Sequence, residues 1–276
     1  MTSPTWQPDH TPAIPKPRGL EWIRVVYRGT ALVLVLLIGL VTLLGLRLIE
    51  RPFNGSHRPW SPHVTVAVCR MALRILRLPI DITGRPMAEH GAIVANHSSW
   101  LDIFVLNAAA PVYFVSKAEV ANWPMIGWLA RSTGTVFIRR SRGEAARQTA
   151  MFEDRLKVGH RLLFFPEGTS TDGLRVLPFK PTLFAAFFSD ALPDISVQPA
   201  TVIYHAPPGE PAHFYGWWGD MEFGPHLLHL LGTPRQGRVA VIWHAPLKVS
   251  DFAGRKALAA EACRTIETAH RTARKT

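Results

Sequence analysis

The chain has 276 residues, 47% of them hydrophobic, enough for one large domain with an appendage. Its 31 basic against 20 acidic side chains give a formal charge of +11, which favours phosphate-bearing partners. With no zinc spacing, RNP-like strand or recognisable basic reading helix, that charge points to anionic membrane and away from nucleic acid. Cys69 and Cys263 stand alone, which excludes a disulfide framework and predicts two buried free thiols in a reducing, cytoplasmic setting.

Residues 1–28 read as a flexible arm, because Pro4, Pro8, Pro12, Pro15 and Pro17 interrupt any regular element. Residues 29–78 read as a membrane-anchoring helical region. Its first part, Gly29 to Leu46, is a run of 18 uncharged residues, close to the roughly 20 that cross a bilayer as a helix. Basic residues flank the run on both sides: Lys16, Arg18, Arg24 and Arg28 before it, and Arg47, Arg51 and Arg58 after it. Both a spanning helix and one that dips into a single leaflet fit that symmetry. Pro52, Asn54, Gly55, Pro59 and Pro62 predict a loop, and Val64 to Leu76 a helix with Arg70, Arg74 and Arg77 on one face.

Residues 79–276 read as an α/β domain with a central, mostly buried sheet. Short β-rich runs recur at Ala92–Ala95, Val112–Val115, Thr135–Ile138, Leu162–Phe165, Val197–Tyr204 and Val239–Trp243. The clearest helix between them is Glu144 to Val158, with Ala145, Thr149, Phe152 and Leu156 on one stripe and Gly159 as the stop.

The first of these strands runs into Asn96-His97-Ser98-Ser99-Trp100-Leu101-Asp102. On one continuous helix, His97 and Asp102 would diverge by about 140°, so a turn has to separate them if they are to meet. Ser99 as N-cap would leave His97 in that turn and put Asp102 in the first helical turn, reaching back to the ring. The same Ser99-x-x-Asp102 spacing also describes a capping box, in which Asp102 serves only backbone amides. Two further strands end in polar groups: Gly134-Thr135-Val136-Phe137-Ile138-Arg139-Arg140 in cations, and Phe164-Phe165-Pro166-Glu167-Gly168-Thr169 in a carboxylate-bearing turn, with Lys180 following.

These blocks in this order resemble the glycerolipid acyltransferase family that includes 1-acylglycerol-3-phosphate acyltransferases. Its His-x4-Asp motif is matched by His97 and Asp102 after Asn96. Its Gly-x-x-Phe-Ile-x-Arg block is matched by Gly134, Phe137, Ile138 and Arg140, and its Phe-Pro-Glu-Gly-Thr block by Phe165 to Thr169. A proline following a late strand is echoed by Pro199.

The resemblance implies an acyltransferase fold, a thioester donor (acyl-ACP or acyl-CoA) and a membrane-resident lysolipid acceptor at the cytoplasmic face of the inner membrane. His97 is then the general base and Asp102 its orienting partner. Asn96, Arg140, Glu167, Gly168, Thr169 and Lys180 belong to the acceptor site, and no metal or cofactor is required. The first acceptor it suggests is 1-acyl-sn-glycerol-3-phosphate, giving phosphatidic acid. Where the family commonly has arginine after Phe-Pro-Glu-Gly-Thr, Ser170 stands here. With the segment Phe214 to Met221, that departure resembles members that acylate lyso-ornithine lipid, the second acceptor.

Two other classes fit less well. A lipid hydrolase would show Gly-x-Ser-x-Gly, which is missing, leaving only Ser98 beside His97 as an unsuitable nucleophile. A non-catalytic membrane-binding module, using Arg70, Arg74, Arg77 and a basic tail from Arg271 to Lys275, has no need of His97 with Asp102. His226 and His229 have a helical i, i+3 spacing but no third ligand, and Trp217 and Trp218 suit either a membrane interface or a core.

Overall fold

The computed structural model describes Trp6 and residues 12–274 except 90, 124, 139–144, 190 and 193. Its strands are β1 (Ile80–Thr83), β2 (Gly91–Ala95), β3 (Tyr113–Lys117), β4 (Val136–Ile138), β5 (Leu162–Phe164), β6 (Ser196–His205), β7 (Arg238–Trp243) and β8 (Leu247–Lys248). They form one sheet in the order β1-β7-β6-β2-β5-β3-β4, with β8 pairing β6. The pairings of β6 with β7 and β8 are antiparallel, and all the others are parallel. All six expected runs are strands. The two unexpected ones are an edge strand whose last three residues are exposed and a pair of residues too short to carry a pattern.

The helices are α1 (Glu21–Asn54), α2 (Ser61–Leu76), α3 (Asp102–Ala109), α4 (Ile126–Thr133), α5 (Ala145–Lys157), α6 (Phe223–Gly232) and α7 (Arg255–Ala273). Side chains of β2 alternate between two cores, as the pleat requires. Ile93 and Ala95 join residues of α2, α3 and α6 on one face. Ala92 and Val94 join α5, α7 and the 3-10 stretch Pro181–Phe188 on the other. Burial on both faces is why β2 reads as an unbroken apolar run. Parallel pairing sets the C-terminal ends of β2, β3 and β5 side by side, and the loops leaving them share one edge of the sheet. Pro199 lies inside β6, opposite Val94, and not after a strand.

The expected anchor extends further than its uncharged run. α1 has 34 residues and continues through Pro52, so the loop begins only at Gly55. Pro52 cannot donate to the carbonyl four residues before it, and the helix ends two residues later at Asn54. α1 and α2 form a hairpin closed by Gly39, where a Cβ would sit 2.2 Å from the Val68 side chain. Glu50 is buried and its Oε1 accepts from the Trp60 and Ser61 amides at 2.6 and 2.8 Å, which caps α2.

Arg24 and Arg28, expected as flanking surface charges, dock α1 onto the sheet domain. Arg28 Nη1 donates to the Leu231 and Thr233 carbonyls at 2.9 and 2.7 Å, and Arg24 Nη1 to Gly232 at 3.2 Å. These guanidinium groups satisfy the orphan carbonyls at the end of α6. At its far end, α1 bonds Ser132 of α4 through Arg47.

Three smaller expectations change. The described part of the proline-rich arm packs against residues 220–228, with Pro17 buried, and does not hang free. Arg271 is in the last turn of α7 and not in a tail; neighbouring His270 and Arg274 both bond the Gly173 carbonyl. Cys69 is buried, its thiol pushed up to about 12 by burial, whereas Cys263 is half-buried.

Replacing Arg28 by methionine keeps most of the packing volume but leaves buried carbonyls of α6 without donors. The expected cost is about 2–4 kcal/mol, lowering the melting temperature of detergent-solubilised protein by several degrees. An unchanged melting temperature would mean that α1 is not seated on α6 in solution.

Candidate active site

His97 leaves the end of β2 and Asp102 opens α3, so the turn between them does what one helix cannot. His97 Nδ1 and Asp102 Oδ2 are 2.8 Å apart. The same oxygen accepts from the Ser98 and Ser99 amides at 2.8 and 3.0 Å, and Oδ1 accepts from the Tyr204 hydroxyl at 2.7 Å. Asp102 is 0% exposed, and four donors compensate its removal from water. Asp102 therefore meets both the ring and backbone amides, and the reading in which it serves the amides alone does not hold. Ser99 contributes its amide, and its Oγ accepts from Leu101 N at 3.3 Å.

An imidazole that donates from Nδ1 to a carboxylate carries its lone pair on Nε2. His97 is part-exposed, stacks on Phe165 with ring centroids 4.0 Å apart, and lines a cavity of about 370 Å³. The walls are mainly apolar, including Trp100, Ile103, Val120, Trp123, Leu183 and Phe223. Such a space suits an acyl chain.

The expected acceptor residues divide into two groups. Gly168 and Thr169 line the cavity, and so does Ser170, the residue that departs from the family pattern. Asn96 and Glu167 do not, because their polar atoms serve the backbone. Asn96 donates to the Val202 carbonyl and accepts from the Val202 amide, both at 2.8 Å, which extends the β2–β6 ladder one step beyond the strand. Glu167 accepts from His97 N at 2.6 Å and Leu177 N at 2.7 Å, so it holds the His97 turn from behind. Burial pushes the Glu167 carboxyl up to about 8 against the pull of those amides. Lys180 is outside the cavity lining, and its amide bonds the Pro166 carbonyl at 2.9 Å. Arg140 lies outside the described residues.

Several contributors escape sequence reasoning. Tyr204 is separated from Asp102 by 102 positions and reads only as an apolar strand residue. Its hydroxyl is held protonated, well above the usual value, by burial and by the Asp102 charge. Lys117, at the end of β3, brings a cation to the cavity. Trp217 and Trp218 line it too. Both indole N–H groups are buried without an acceptor among the described residues. Trp217 N bonds the Ser98 carbonyl at 2.9 Å, tying this segment to the catalytic turn.

Trp6 approaches from the arm. Its amide donates to Thr169 Oγ1 at 3.3 Å and its ring lies 6.1 Å from Trp218. Ser98 is 1% exposed and does not line the cavity, which removes the hydrolase nucleophile. His226 accepts from Trp100 Nε1 at 2.9 Å and burial pushes it down to about 4; no group of three or more metal-ligating side chains occurs among the described residues.

An acyltransferase family model matches residues 80–203. The chain is 57% identical to a lyso-ornithine lipid O-acyltransferase of Rhodobacter capsulatus over 94% of this chain and 95% of that one. It is 41% identical to a 1-acyl-sn-glycerol-3-phosphate acyltransferase of Neisseria gonorrhoeae over 49% of this chain and 54% of that one. The crystal structure of the 1-acyl-sn-glycerophosphate acyltransferase PlsC from Thermotoga maritima shares the fold, with a TM-score of 0.64 at 19% identity, covering 93% of this chain and 98% of that one. An acyltransferase model over residues 80–203 and a relative 57% identical along nearly the whole chain make this protein a member of the glycerolipid acyltransferase family.

Proposed function

We propose that the protein transfers a fatty acyl group from a thioester to the hydroxyl of lyso-ornithine lipid, at a membrane surface it enters from one side. The observation that carries the transfer step is the His97–Asp102 pair opening onto an apolar cavity. His97 Nε2 takes the hydroxyl proton as the oxygen attacks the thioester carbonyl. Asp102 stabilises the imidazolium that forms. Collapse of the tetrahedral adduct breaks the carbon–sulfur bond, and the same proton returns from Nε2 to the leaving thiolate. Acyl-ACP and acyl-CoA both supply that thioester.

Sequence reasoning puts lysophosphatidate first as acceptor and lyso-ornithine lipid second; the relatives and the cavity favour the reverse order. The 57% identical relative is a lyso-ornithine lipid O-acyltransferase. Lys117 with the neutral N–H and O–H donors around it suits the carboxylate that an ornithine headgroup carries beside its own ammonium. Ser170, Trp217 and Trp218 supply such donors, and Ser170 occupies the place of a common family arginine.

Membrane attachment is supported by α1. Its outward face exposes Leu34, Leu37, Ile38, Val41 and Leu48. At 1.5 Å per residue its 34 residues extend about 50 Å, and both ends bond the same domain, at residues 231–234 and at Ser132. A helix crossing the roughly 30 Å hydrocarbon core would carry those contacts to opposite sides. One-sided insertion keeps both on the face where the catalytic domain sits.

Two outcomes test these points. Given one thioester donor and equal amounts of both acceptors, the wild type should consume lyso-ornithine lipid faster than lysophosphatidate. Trp217→Phe and Trp218→Phe, which keep one aromatic ring and remove the N–H with the five-membered ring of the indole, should each raise KM for lyso-ornithine lipid roughly tenfold. Faster use of lysophosphatidate by the wild type would overturn the acceptor. For attachment, Leu34→Gln with Ile38→Gln and Val41→Gln should shift much of the protein from vesicles to the soluble fraction without lowering the melting temperature. Undiminished pelleting would move the anchor elsewhere. Deleting residues 1–50 is a poorer test, because it also removes Arg24, Arg28 and Glu50, which cap α6 and α2.

A further inference from the structure

At the start of β3, away from the cavity, five segments converge on a cluster of cations. Arg47 comes from the last turns of α1, Arg58 from the loop before α2, Tyr113 from the first position of β3, Gly134 from the end of α4 and Arg155 from α5. Arg155 is fixed on three sides. Its Nε donates to His160 Nδ1 at 2.7 Å, its Nη2 to the Gly134 carbonyl at 3.0 Å, and its guanidinium lies 4.6 Å from the Tyr113 ring centre. Gly134, with φ of 87°, leaves the space in which Arg58 sits; a Cβ there would come within 2.7 Å of Arg58 Nη1 and 3.1 Å of the Tyr113 ring.

The cluster has donors left over. Arg58 Nη1, Arg47 Nε and the Tyr113 hydroxyl are buried without a hydrogen-bond partner among the described residues, and Tyr113 is only 5% exposed. Glu50 is the acidic neighbour acting on Arg47, and its Oε1 is already engaged by the Trp60 and Ser61 amides. Burial, then the nearby guanidinium groups, push His160 down to about 3, so it stays neutral; burial, then Arg58, push Arg155 down to about 10. Two guanidinium groups and a phenol with unused donors, backed by the Arg155 charge and facing one carboxylate of which only Oε2 is unpartnered, form a receptor for an oxyanion.

The setting identifies the source of that anion. Phe53 and Trp60, on either side of the loop that carries Arg58, are 81% and 52% exposed, and the apolar face of α1 leads up to them. Aromatic and apolar side chains beside cations are what a membrane–water boundary selects. We propose that Arg47, Arg58, Arg155 and Tyr113 form a second site, distinct from the acyl-transfer cavity, that binds the phosphate of an anionic phospholipid headgroup and clamps the α1–α2 hairpin to the sheet domain. The lipid origin of the phosphate rests on the membrane attachment proposed above; the receptor itself does not.

The test uses the full chain in neutral-detergent micelles, as wild type, Arg58→Gln and Tyr113→Phe. Melting is followed on adding phosphatidylglycerol, inorganic phosphate, or sodium chloride at matched ionic strength. Phosphatidylglycerol should raise the wild-type melting temperature by several degrees. The mole fraction giving half the effect should rise about tenfold or more in Arg58→Gln and severalfold in Tyr113→Phe.

Without lipid, Arg58→Gln should melt no lower than wild type, since the change removes a repelling charge. A fall of several degrees would instead make Arg58 a structural cation and overturn the site. Should Arg58→Gln fail to fold, Tyr113→Phe decides alone. Equal lipid responses in wild type and variants would overturn the site, and a response to inorganic phosphate without one to phosphatidylglycerol would overturn the headgroup assignment. Pelleting with neutral vesicles separates the two proposals: loss of pelleting sinks membrane attachment, whereas retained pelleting with no lipid-dependent melting shift sinks this site alone.

Discussion

The buried carboxylate of Asp102 organises the catalytic end of this molecule. A charge with no exposure to water persists only where donors replace its hydration. Here they come from His97, from the Ser98 and Ser99 amides and from Tyr204. Those four partners belong to the turn after β2 and to β6, so satisfying one charge fixes the distance between a catalytic loop and a central strand. Asn96 reinforces the same junction through Val202, and Glu167 holds the His97 amide from the turn after β5. The His97 ring is thereby held in place, its Nδ1 on Asp102 and its face packed on Phe165.

From that constraint follows the division of labour around the cavity. The parallel strands β2, β3 and β5 deliver His97, Lys117 and the Phe165–Ser170 turn to one edge of the sheet. The segment after β6 closes the opposite wall with Trp217 and Trp218, anchored to the Ser98 carbonyl. α1 is held to this body by charge on backbone: guanidinium groups on the last carbonyls of α6 at one end and on Ser132 at the other. The long apolar helix and the sheet domain are therefore held together at both ends of α1.

Much of this was legible from local sequence. The buried strands announce themselves because sheets covered on both faces need unbroken apolar runs, and the His97–Asp102 spacing predicts its own turn. What local reading misses is contact across the chain. Tyr204 and Asn96–Val202 involve separations above 100 positions, and nothing near Tyr204 marks it as a carboxylate partner. Glu167 was expected to face the acceptor; a turn carboxylate looks the same whether it meets substrate or amides, and only the fold reveals that both oxygens are taken. Arg24 and Arg28 looked like solvated flanks for the same reason, and Pro52 looked like a helix end because its tolerance in a final turn depends on where that turn falls.

The central claim is that His97 removes the acceptor proton and that Asp102 makes it able to. Single-turnover transfer from an acyl thioester to lyso-ornithine lipid, read as free thiol and as esterified lipid, tests it most directly when wild type is set beside His97→Ala and Asp102→Asn. The account predicts at least about a hundredfold slower transfer in each variant, with His97→Ala melting close to wild type and still bound to vesicles. Transfer at near wild-type rate by folded His97→Ala would contradict it.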